Sequence, residues 1–483
     1  MTTPSPLLVV GDALLDHDLT GRADRLAPDA PVPVVSDVRR TSRPGGAALA
    51  ACLAALDGRP VTLVTALGDD PASDTLRRLL AGRVRLVRLP LGGELSSKTR
   101  VLAQGRPLLR LDDGDGRALH ATDEARDELN AAGAVLVADY GRGTADTLRS
   151  ALTWAAARVP LVWDPHPRGA PPVPGARVVT PSANEARAFA ARLDGAREPA
   201  AGSELSTGAH DAAALVAAWR AAAVTVTLGG RGALLSHGGT PLMVPSPVTS
   251  EGDTCGAGDR FAATVAGLLA DGELTENAVR AAVHAATRYV MEGGVRSLGT
   301  GTLPDEEAPL AAGHEPDDDA VRTADRVRAA GGTVVAAGGC FDLLHAGHVA
   351  LLQAARRAGD CLIVCVNSDT SVRRRKGGGR PLVPVADRVR VLRALECVDA
   401  VAVFEEDTPE RLLGELRPHI WAKGGDYART PMPEASLVAS WGGQVVLFPY
   451  LDGRSTTGIA RRAALFPRPA GLAGAAAPGR TRR

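Results

Sequence analysis

Two stretches hold residues whose types and spacing could do chemistry. In "GGCFDLLHAGHVALLQAARRAGD" (338–360), His345 and His348 stand three apart where a helix begins, after an apolar run and a glycine pair. Positions i and i+3 share a helix face, so both imidazoles project together from the first turn. A zinc site wants more ligands, and no other Cys or His stands at suitable spacing. Core packing fits poorly too, because Gly347 lies between them and the apolar face starts only at Val349, Leu351 and Leu352. An anion site fits: imidazoles and helix-end amides hold a triphosphate and stabilise charge as its α-phosphorus is attacked.

The second stretch is "GDTCGAGDRFAATVAGLLADG" (252–272). Gly256, Ala257 and Gly258 present backbone N–H groups at a helix amino terminus, where partial positive charge favours a phosphoryl group. Asp259 stands at the same mouth. A carboxylate there either accepts a proton from an attacking hydroxyl or caps the helix, and the residues by themselves leave both open.

Elements that could position these residues recur along the chain. Strand-like runs, "PLLVVGD" (6–12), "VTLVTALG" (61–68), "AVLVADYG" (134–141), "VPLVWDP" (159–165), "ARVVTPS" (176–182) and "AVTVTLGG" (223–230), alternate with helical stretches such as "GGAALAACLAALDG" (45–58). That rhythm predicts a parallel sheet covered by helices. "SSKTRVLAQGRPLLRLDDG" (96–114) breaks it, reading as two strands around a Gly-Arg-Pro turn: an antiparallel flap. Acidic, proline-bearing residues 303–328 read as a linker between a first domain (1–302) and a second (329–466). The rhythm restarts there with "TVVAAGG" (333–339), "CLIVCVNSD" (361–369), "AVAVFEE" (400–406), "HIWAKGG" (419–425) and "QVVLFPY" (444–450), and 467–483 is expected to be a disordered tail.

Composition narrows the classes. A chain of 483 residues exceeds one ordinary core, and 55 basic against 55 acidic residues leave no excess charge for nucleic acid. No run approaches the roughly 18 apolar residues of a membrane span, and no signal-like amino terminus is present, so a cytoplasmic protein with reduced cysteines is expected. Only three of the basic residues are lysines, Lys98, Lys376 and Lys423, each in a polar or glycine-rich loop.

"DTCGAGD" and "PGGAALAA" (44–51) resemble the signatures of ribokinase-like (PfkB) sugar kinases, and "GDALLDHDLTGRADRLAPDAPVPVV" (11–35) is similar to the opening of heptose-7-phosphate kinases. The resemblance implies transfer of the ATP γ-phosphate to the sugar's C1 hydroxyl, with Asp259 as base and the Gly256–Gly258 amides as anion hole. It puts Asp12, Asp16, Gly45 and Gly46 around the sugar, and Thr227, Gly229, Gly232 and Glu185 near ATP. A sugar already carrying a phosphate needs cations at its far end, for which Lys98, Arg100 and Arg110 on the flap are candidates. Three positions depart from the family: Leu49 and Ser182 replace asparagines of its sugar and NxxE motifs, and His284 replaces one near the nucleotide.

"LLHAGH" resembles the HxGH signature of nucleotidyltransferases in the cytidylyltransferase superfamily, with Phe341 and Asp342 in its flank. Further along, Lys376, Arg380 and Arg388 look like that family's phosphate-contacting residues. "AKGGDY" supplies Lys423, Gly424, Gly425 and Asp426, and "GRSTTGIARR" supplies Ser455, Thr456 and Thr457 for the β- and γ-phosphates. The expected fold is α/β: a ribokinase-like domain, its parallel sheet flanked by helices and bearing a small β flap, then a smaller Rossmann-like nucleotidyltransferase domain.

Together the halves resemble the bifunctional heptose-7-phosphate kinase/heptose-1-phosphate adenylyltransferases. That implies ATP and heptose phosphates as substrates, a separate C7 phosphatase between the two steps, Mg²⁺ with ATP at both sites and no protein-only metal site. It admits a monovalent cation in the kinase domain, and it implies a homodimer with no nucleic-acid or membrane partner. Two alternatives stand beside it: another sugar phosphate or nucleotide, or a degenerate kinase half with only the transferase active.

Overall fold

The computed structural model describes residues 4–104, 106–193, 204–248, 253–294, 319–424 and 432–449. In the first domain the strand Leu7–Gly11 lies between Val61–Leu67 on one side and Val135–Ala138 on the other, all parallel. Beyond Val135–Ala138 the sheet continues through Leu161–Asp164, Val178–Val179 and Val224–Thr227, then two antiparallel strands, Gly232–Ser236 and Leu242–Pro245. The central strands are buried on both faces, which is why they read as continuous Val/Leu/Ala runs. Chain direction across the sheet reverses between Leu7–Gly11 and Val135–Ala138. Ligands of open α/β sheets bind at such switch points, beyond the carboxyl ends of the strands.

The flap is larger than the expected hairpin. Ser97–Ala103 and Arg106–Asp113 pair antiparallel as anticipated, but Ala13–Leu26 runs parallel to Ser97–Ala103, and Pro33–Gly46 completes a four-stranded sheet. Each outer half of the two long strands mixes charged with apolar residues, so no clean two-residue period announces it. Leu26, Val32, Val38, Leu109 and Leu111 on and beside this sheet are each half exposed or more.

In the second domain five parallel strands, Val334–Gly339, Cys361–Asn367, Ala400–Phe404, Ile420–Gly424 and Gln444–Phe448, lie in the order third, second, first, fourth, fifth. Its switch point falls between Val334–Gly339, which leads to His345, and Ile420–Gly424, which carries Lys423. The two sheets meet edge to edge: Leu242 pairs with Leu447, whose N–H donates to the Pro241 carbonyl at 2.8 Å.

The expected linker ends earlier than composition suggested. Ala320–Ala329 is a helix, capped by Asp319 accepting from the N–H of Val321 and Arg322 at 3.0 and 3.1 Å. It buries Ala320 and Ala324 in the second domain's core, so residues 319–329 belong to that domain. Small alanines make a weak apolar stripe, and the acidic run before them masked it. The tail 467–483 lies outside the described residues, and among those residues no helix is long and apolar enough to cross a membrane.

Candidate functional site

At the first switch point, the carboxylate of Asp12 closes the gap between the two central strands. It accepts from the backbone N–H of Tyr140 (3.0 Å), Arg142 (2.8 Å) and Thr144 (3.1 Å). Expected around the sugar, Asp12 instead spends its oxygens clamping the 140–144 loop. That clamp fixes Tyr140, whose hydroxyl donates to Asp259 Oδ1 at 2.8 Å.

Asp259 lies in the first turn of the helix Ala257–Ala270, with 8% of its surface exposed. Burial, reinforced by the charge of Asp16, raises its pKa to about 7, while the Tyr140 hydrogen bond and Lys98 pull it back. A carboxyl poised there is suited to take a proton near neutral pH. The helix starts from Gly256 at φ +82°, where a side chain would come within 2.6 Å of the Tyr289 hydroxyl and 2.8 Å of Leu49 Cδ2. Leu49, 2% exposed, therefore props the glycine turn from beneath rather than facing a sugar. The Ala257 N–H donates to the Thr254 carbonyl at 3.1 Å, and a Cβ built at Gly258 would meet open space.

Asp16 is 6% exposed, and burial raises its pKa against the lowering charges of Arg43, Lys98 and Arg100. Gly45 is needed because any side chain there would come within 2.9 Å of the Asp16 carboxyl carbon, and Gly46 follows as the turn into the helix Ala47–Leu56. The flap cations separate. Arg110 is exposed and donates to Asp112 at 2.7 Å, Arg100 donates to Cys255 Sγ at 2.7 Å, and Arg43 is paired with Asp18. Lys98 lies with its Nζ 5.4 Å from the centre of the Tyr140 ring, so Lys98 and Arg100 face the mouth while Arg110 does not.

At the nucleotide end, Glu185 Oε2 accepts from the Ser182 N–H (2.9 Å) and hydroxyl (2.8 Å), reaching back to the start of its own helix as in a capping box. Thr227 is bridged to Ser182, and Gly229 and Gly232 flank the 3₁₀ turn Gly229–Arg231. Asp164 was not singled out from sequence. It accepts from the Thr180 hydroxyl at 2.8 Å, and burial plus the charges of Asp259 and Glu185 push its pKa well up. Its place at a strand's carboxyl end in "VWDP" was the available signal. His284 is exposed on the helix Thr275–Met291, its pKa lowered by partial burial and by Arg288, Arg280 and Arg357.

In the second domain His345 is the N-cap residue of the helix Ala346–Arg357, and its ring stacks on His348 with centroids 3.8 Å apart. The ring of Phe341 lies 5.3 Å from that of His348. Burial, with the charges of His345 and Lys376 adding to it, lowers the His348 pKa to about 4. The imidazole is thus a neutral donor at pH 7 before an anion arrives, and its buried Nδ1 has no hydrogen-bond partner among the described residues.

The other expected phosphate contacts divide into two groups. Asp342, 2% exposed, accepts from Arg380 at 2.7 Å and from the N–H of Leu382 and Val383 at 2.9 and 3.0 Å, tying the glycine loop to the histidine turn. Arg388, also 2% exposed, donates to the carbonyls of Val383 (3.0 Å) and Cys340 (2.6 Å) and to Asp369 (2.7 Å). Its guanidinium is a buried strut beneath the site, not a phosphate contact. Lys376 ends the helix Asp369–Lys376 on the exposed glycine loop. Lys423 donates to Glu434 at 3.4 Å and lies 4.8 Å from the centre of the Trp421 ring, with Gly424 closing its strand. Gly425, Asp426, Ser455, Thr456 and Thr457 lie outside the described residues.

Comparison with known proteins covers both halves. A model of pfkB family carbohydrate kinases matches residues 5–300, and a cytidylyltransferase-like model matches residues 336–448. Among curated proteins, the bifunctional protein HldE of Streptomyces coelicolor is 65% identical over 96% of this chain and 97% of its own length. HldE of Pelobacter propionicus is 36% identical over 94% and 95%. A ribokinase from Arabidopsis thaliana solved with ribose and ATP is similar at 20% identity and TM-score 0.47, covering 61% of this chain and 96% of that one. A putative ribokinase from Agrobacterium tumefaciens is similar at 22% identity and TM-score 0.47, covering 60% and 93%.

Proposed function

This chain belongs to the HldE family of bifunctional proteins, a pfkB-type carbohydrate kinase joined to a cytidylyltransferase-like domain, and from that premise we propose that it builds ADP-heptose in two separated steps. It is a sugar kinase and an adenylyltransferase. In the first step D-glycero-β-D-manno-heptose 7-phosphate receives the ATP γ-phosphate at C1. In the second, heptose 1-phosphate attacks the α-phosphorus of a second ATP, giving ADP-heptose and pyrophosphate. The C7 phosphate must leave between them, so a separate phosphatase is part of the reading.

The observation that carries this is one chain holding two mouths: Asp259 buried against Tyr140 at a glycine turn, and His345 stacked on His348 at a helix start. In the kinase, Asp259 Oδ takes the C1 hydroxyl proton as that oxygen bonds to the γ-phosphorus and the bond to the β–γ bridging oxygen breaks. The Gly256 and Gly258 amides are left in this reading for the transferring group, since the Ala257 N–H is taken by the Thr254 carbonyl. In the transferase no protein base is needed, since the sugar phosphate is already anionic. His348 and His345 donate to the phosphate oxygens as charge shifts to the departing pyrophosphate.

Mg²⁺ belongs to this reading as a companion of ATP. Asp164 and Glu185 are like charges beside Asp259 with no basic group among the causes of the Asp164 shift, a setting that suits a cation held chiefly by phosphates. When bound, that ion supplies charge neutralisation on the phosphate chain. Among the described residues no cluster of three or more ligating side chains forms a site of its own.

Dimerisation through the flap is also proposed, on the support of the exposed Leu26, Val32, Val38, Leu109 and Leu111. The deciding experiment is mass spectrometry of products from Mg-ATP and heptose 7-phosphate, with and without a C7 phosphatase. Bisphosphate alone, converted to ADP-heptose when phosphatase is added, supports both steps and their order. ADP-heptose from supplied heptose 1-phosphate, with no bisphosphate, rejects the kinase reading.

A further inference from the structure

The domains are joined along one strand. Leu242–Pro245, the last strand of the kinase sheet, pairs with Gln444–Phe448 of the transferase, and Ser206 Oγ donates to the Gly442 carbonyl at 3.0 Å. Met243 of that strand packs in one apolar cluster with Leu352, Ala355 and Phe448 from across the seam. Two helices pack against Leu242–Pro245: Thr275–Met291 from the kinase and Ala346–Arg357 from the transferase.

Where these helices approach each other, the seam carries one sign of charge. Arg280, His284 and Arg288 are spaced by four and form a single row along the kinase helix. Arg357, the last residue of the transferase helix, comes close enough to His284 for its charge to lower the imidazole pKa. None of the four side chains makes a hydrogen bond or ion pair with a described residue, and the Nε atoms of Arg280 and Arg357 are buried without a partner. No carboxylate counters the row at His284. Like charges facing one another across a seam repel, so the arrangement gains when an anion enters.

The row runs beside the nucleotide end of the kinase. Thr287, on the same helix, has its Oγ1 2.9 Å from Ser246 Oγ, and the Ser246 N–H donates to the Arg231 carbonyl at 3.2 Å in the turn Gly229–Arg231. Gly232 follows that turn without a side chain, since a Cβ there would come within 2.6 Å of the Ser246 nitrogen. The transferase mouth is farther off: His345 caps the helix that Arg357 ends, about 18 Å away along its axis.

We propose that the transferase domain completes the nucleotide site of the kinase: Arg357, with the row Arg280, His284 and Arg288, forms a wall for the ATP that gives up its γ-phosphate. The proposal rests on the kinase reading above, in which the Gly229–Gly232 turn borders ATP. Burial and the neighbouring charges keep the His284 ring neutral at pH 7, so the three arginines supply the attraction and the imidazole a donor. Fusion of the two halves then has a use in binding, because the kinase half by itself lacks Arg357.

The test compares Arg357→Met and Arg280→Met with Arg177→Met, an exposed arginine elsewhere on the kinase, in the full-length protein. KM for ATP and kcat are measured for both reactions, with adenylyl transfer to heptose 1-phosphate reporting that each variant is folded. Each seam variant should raise the kinase KM for ATP about fivefold or more and flatten its dependence on salt. Kinase kcat, KM for heptose 7-phosphate and both transferase constants should stay at wild-type values. Arg357→Lys should recover much of the ATP affinity, because charge is what the seam supplies, and Arg177→Met should change nothing. An unchanged kinase KM for ATP in both seam variants overturns the shared site alone. A KM for ATP raised in the transferase reaction instead overturns it too, by assigning Arg357 to the other mouth. No bisphosphate from the wild type overturns the kinase reading and the shared site with it.

Discussion

The hydroxyl of Tyr140 donates to Oδ1 of Asp259 across 2.8 Å, and Asp12 holds the Tyr140 backbone from the other side. This hydrogen bond favours the ionised base, opposing the burial that lifts its pKa to about 7. Tyr140→Phe should therefore lower the kinase kcat and move the acidic limb of its kcat/KM profile upward from near pH 7, by roughly 0.4–1 pH unit for an ordinary hydrogen bond. A profile that keeps its limb while the rate falls would assign Tyr140 to packing only.

The same raised pKa makes a statement about stability. An unfolded aspartate ionises near 4, at about 3.9, while the folded Asp259 holds its proton to about 7. Between those values the folded state binds the extra proton, so stability falls as pH rises through this window and stays reduced above it. Asp259→Asn, which retains an acceptor for Tyr140, should abolish kinase activity yet unfold at a higher temperature than wild type at pH 8. The gain is on the order of 1–3 kcal/mol and should close as pH falls toward 4. Equal melting temperatures at pH 8 would show that the carboxylate is stabilised by groups other than those described.

His348 has a pKa of about 4 because its ring is buried beside His345 and Lys376. Bound triphosphate supplies the missing counter-charge, so the His348 ring signal should titrate at a higher pH with nucleotide than without it, as read by NMR. His348→Ala should cut adenylyl transfer by about 10²–10³-fold and leave the kinase rate unchanged. Loss of both activities in a folded variant would mean that the two sites are coupled.

Arg388 is a strut, each of its three side-chain nitrogens donating, to Val383, Cys340 and Asp369. Removing one partner of a buried charged pair is costly, and Asp369 is only partly exposed. Arg388→Met should destabilise the second domain by about 2–4 kcal/mol, visible as an earlier thermal transition, with kinase kcat unaffected. A phosphate-contact role would appear differently, as raised KM for ATP in the transferase reaction with unchanged melting.

Much of this protein can be read from its residues in order. Alternating apolar runs specify the parallel strands, because strands covered on both faces need no polar positions. "CGAGD" and "HAGH" mark the two helix mouths, because a glycine at positive φ and a cap residue are local requirements. The family resemblance rests on those same short segments. What the order of residues does not contain is which carboxylate and which cation meet. Asp12 stands 128 residues from the Tyr140 N–H it accepts, and Tyr140 stands 119 from Asp259.

The fate of the charged residues shows the division most clearly. Arg100, Arg110, Arg142 and Arg168 are alike in sequence terms, each a guanidinium in a polar stretch, the first two on the flap strands. Only the folded chain separates them, giving Cys255 to Arg100 and Asp112 to Arg110 while leaving Arg142 and Arg168 facing a cavity. Likewise Arg388 looked like a phosphate ligand until burial made it a strut. Identity and local conformation are set by neighbours along the chain, so sequence determined the fold class and the two glycine-bearing helix mouths. Pairing and burial depend on contacts between distant segments, so only tertiary structure decided which charges pair with one another and which are left facing a cavity.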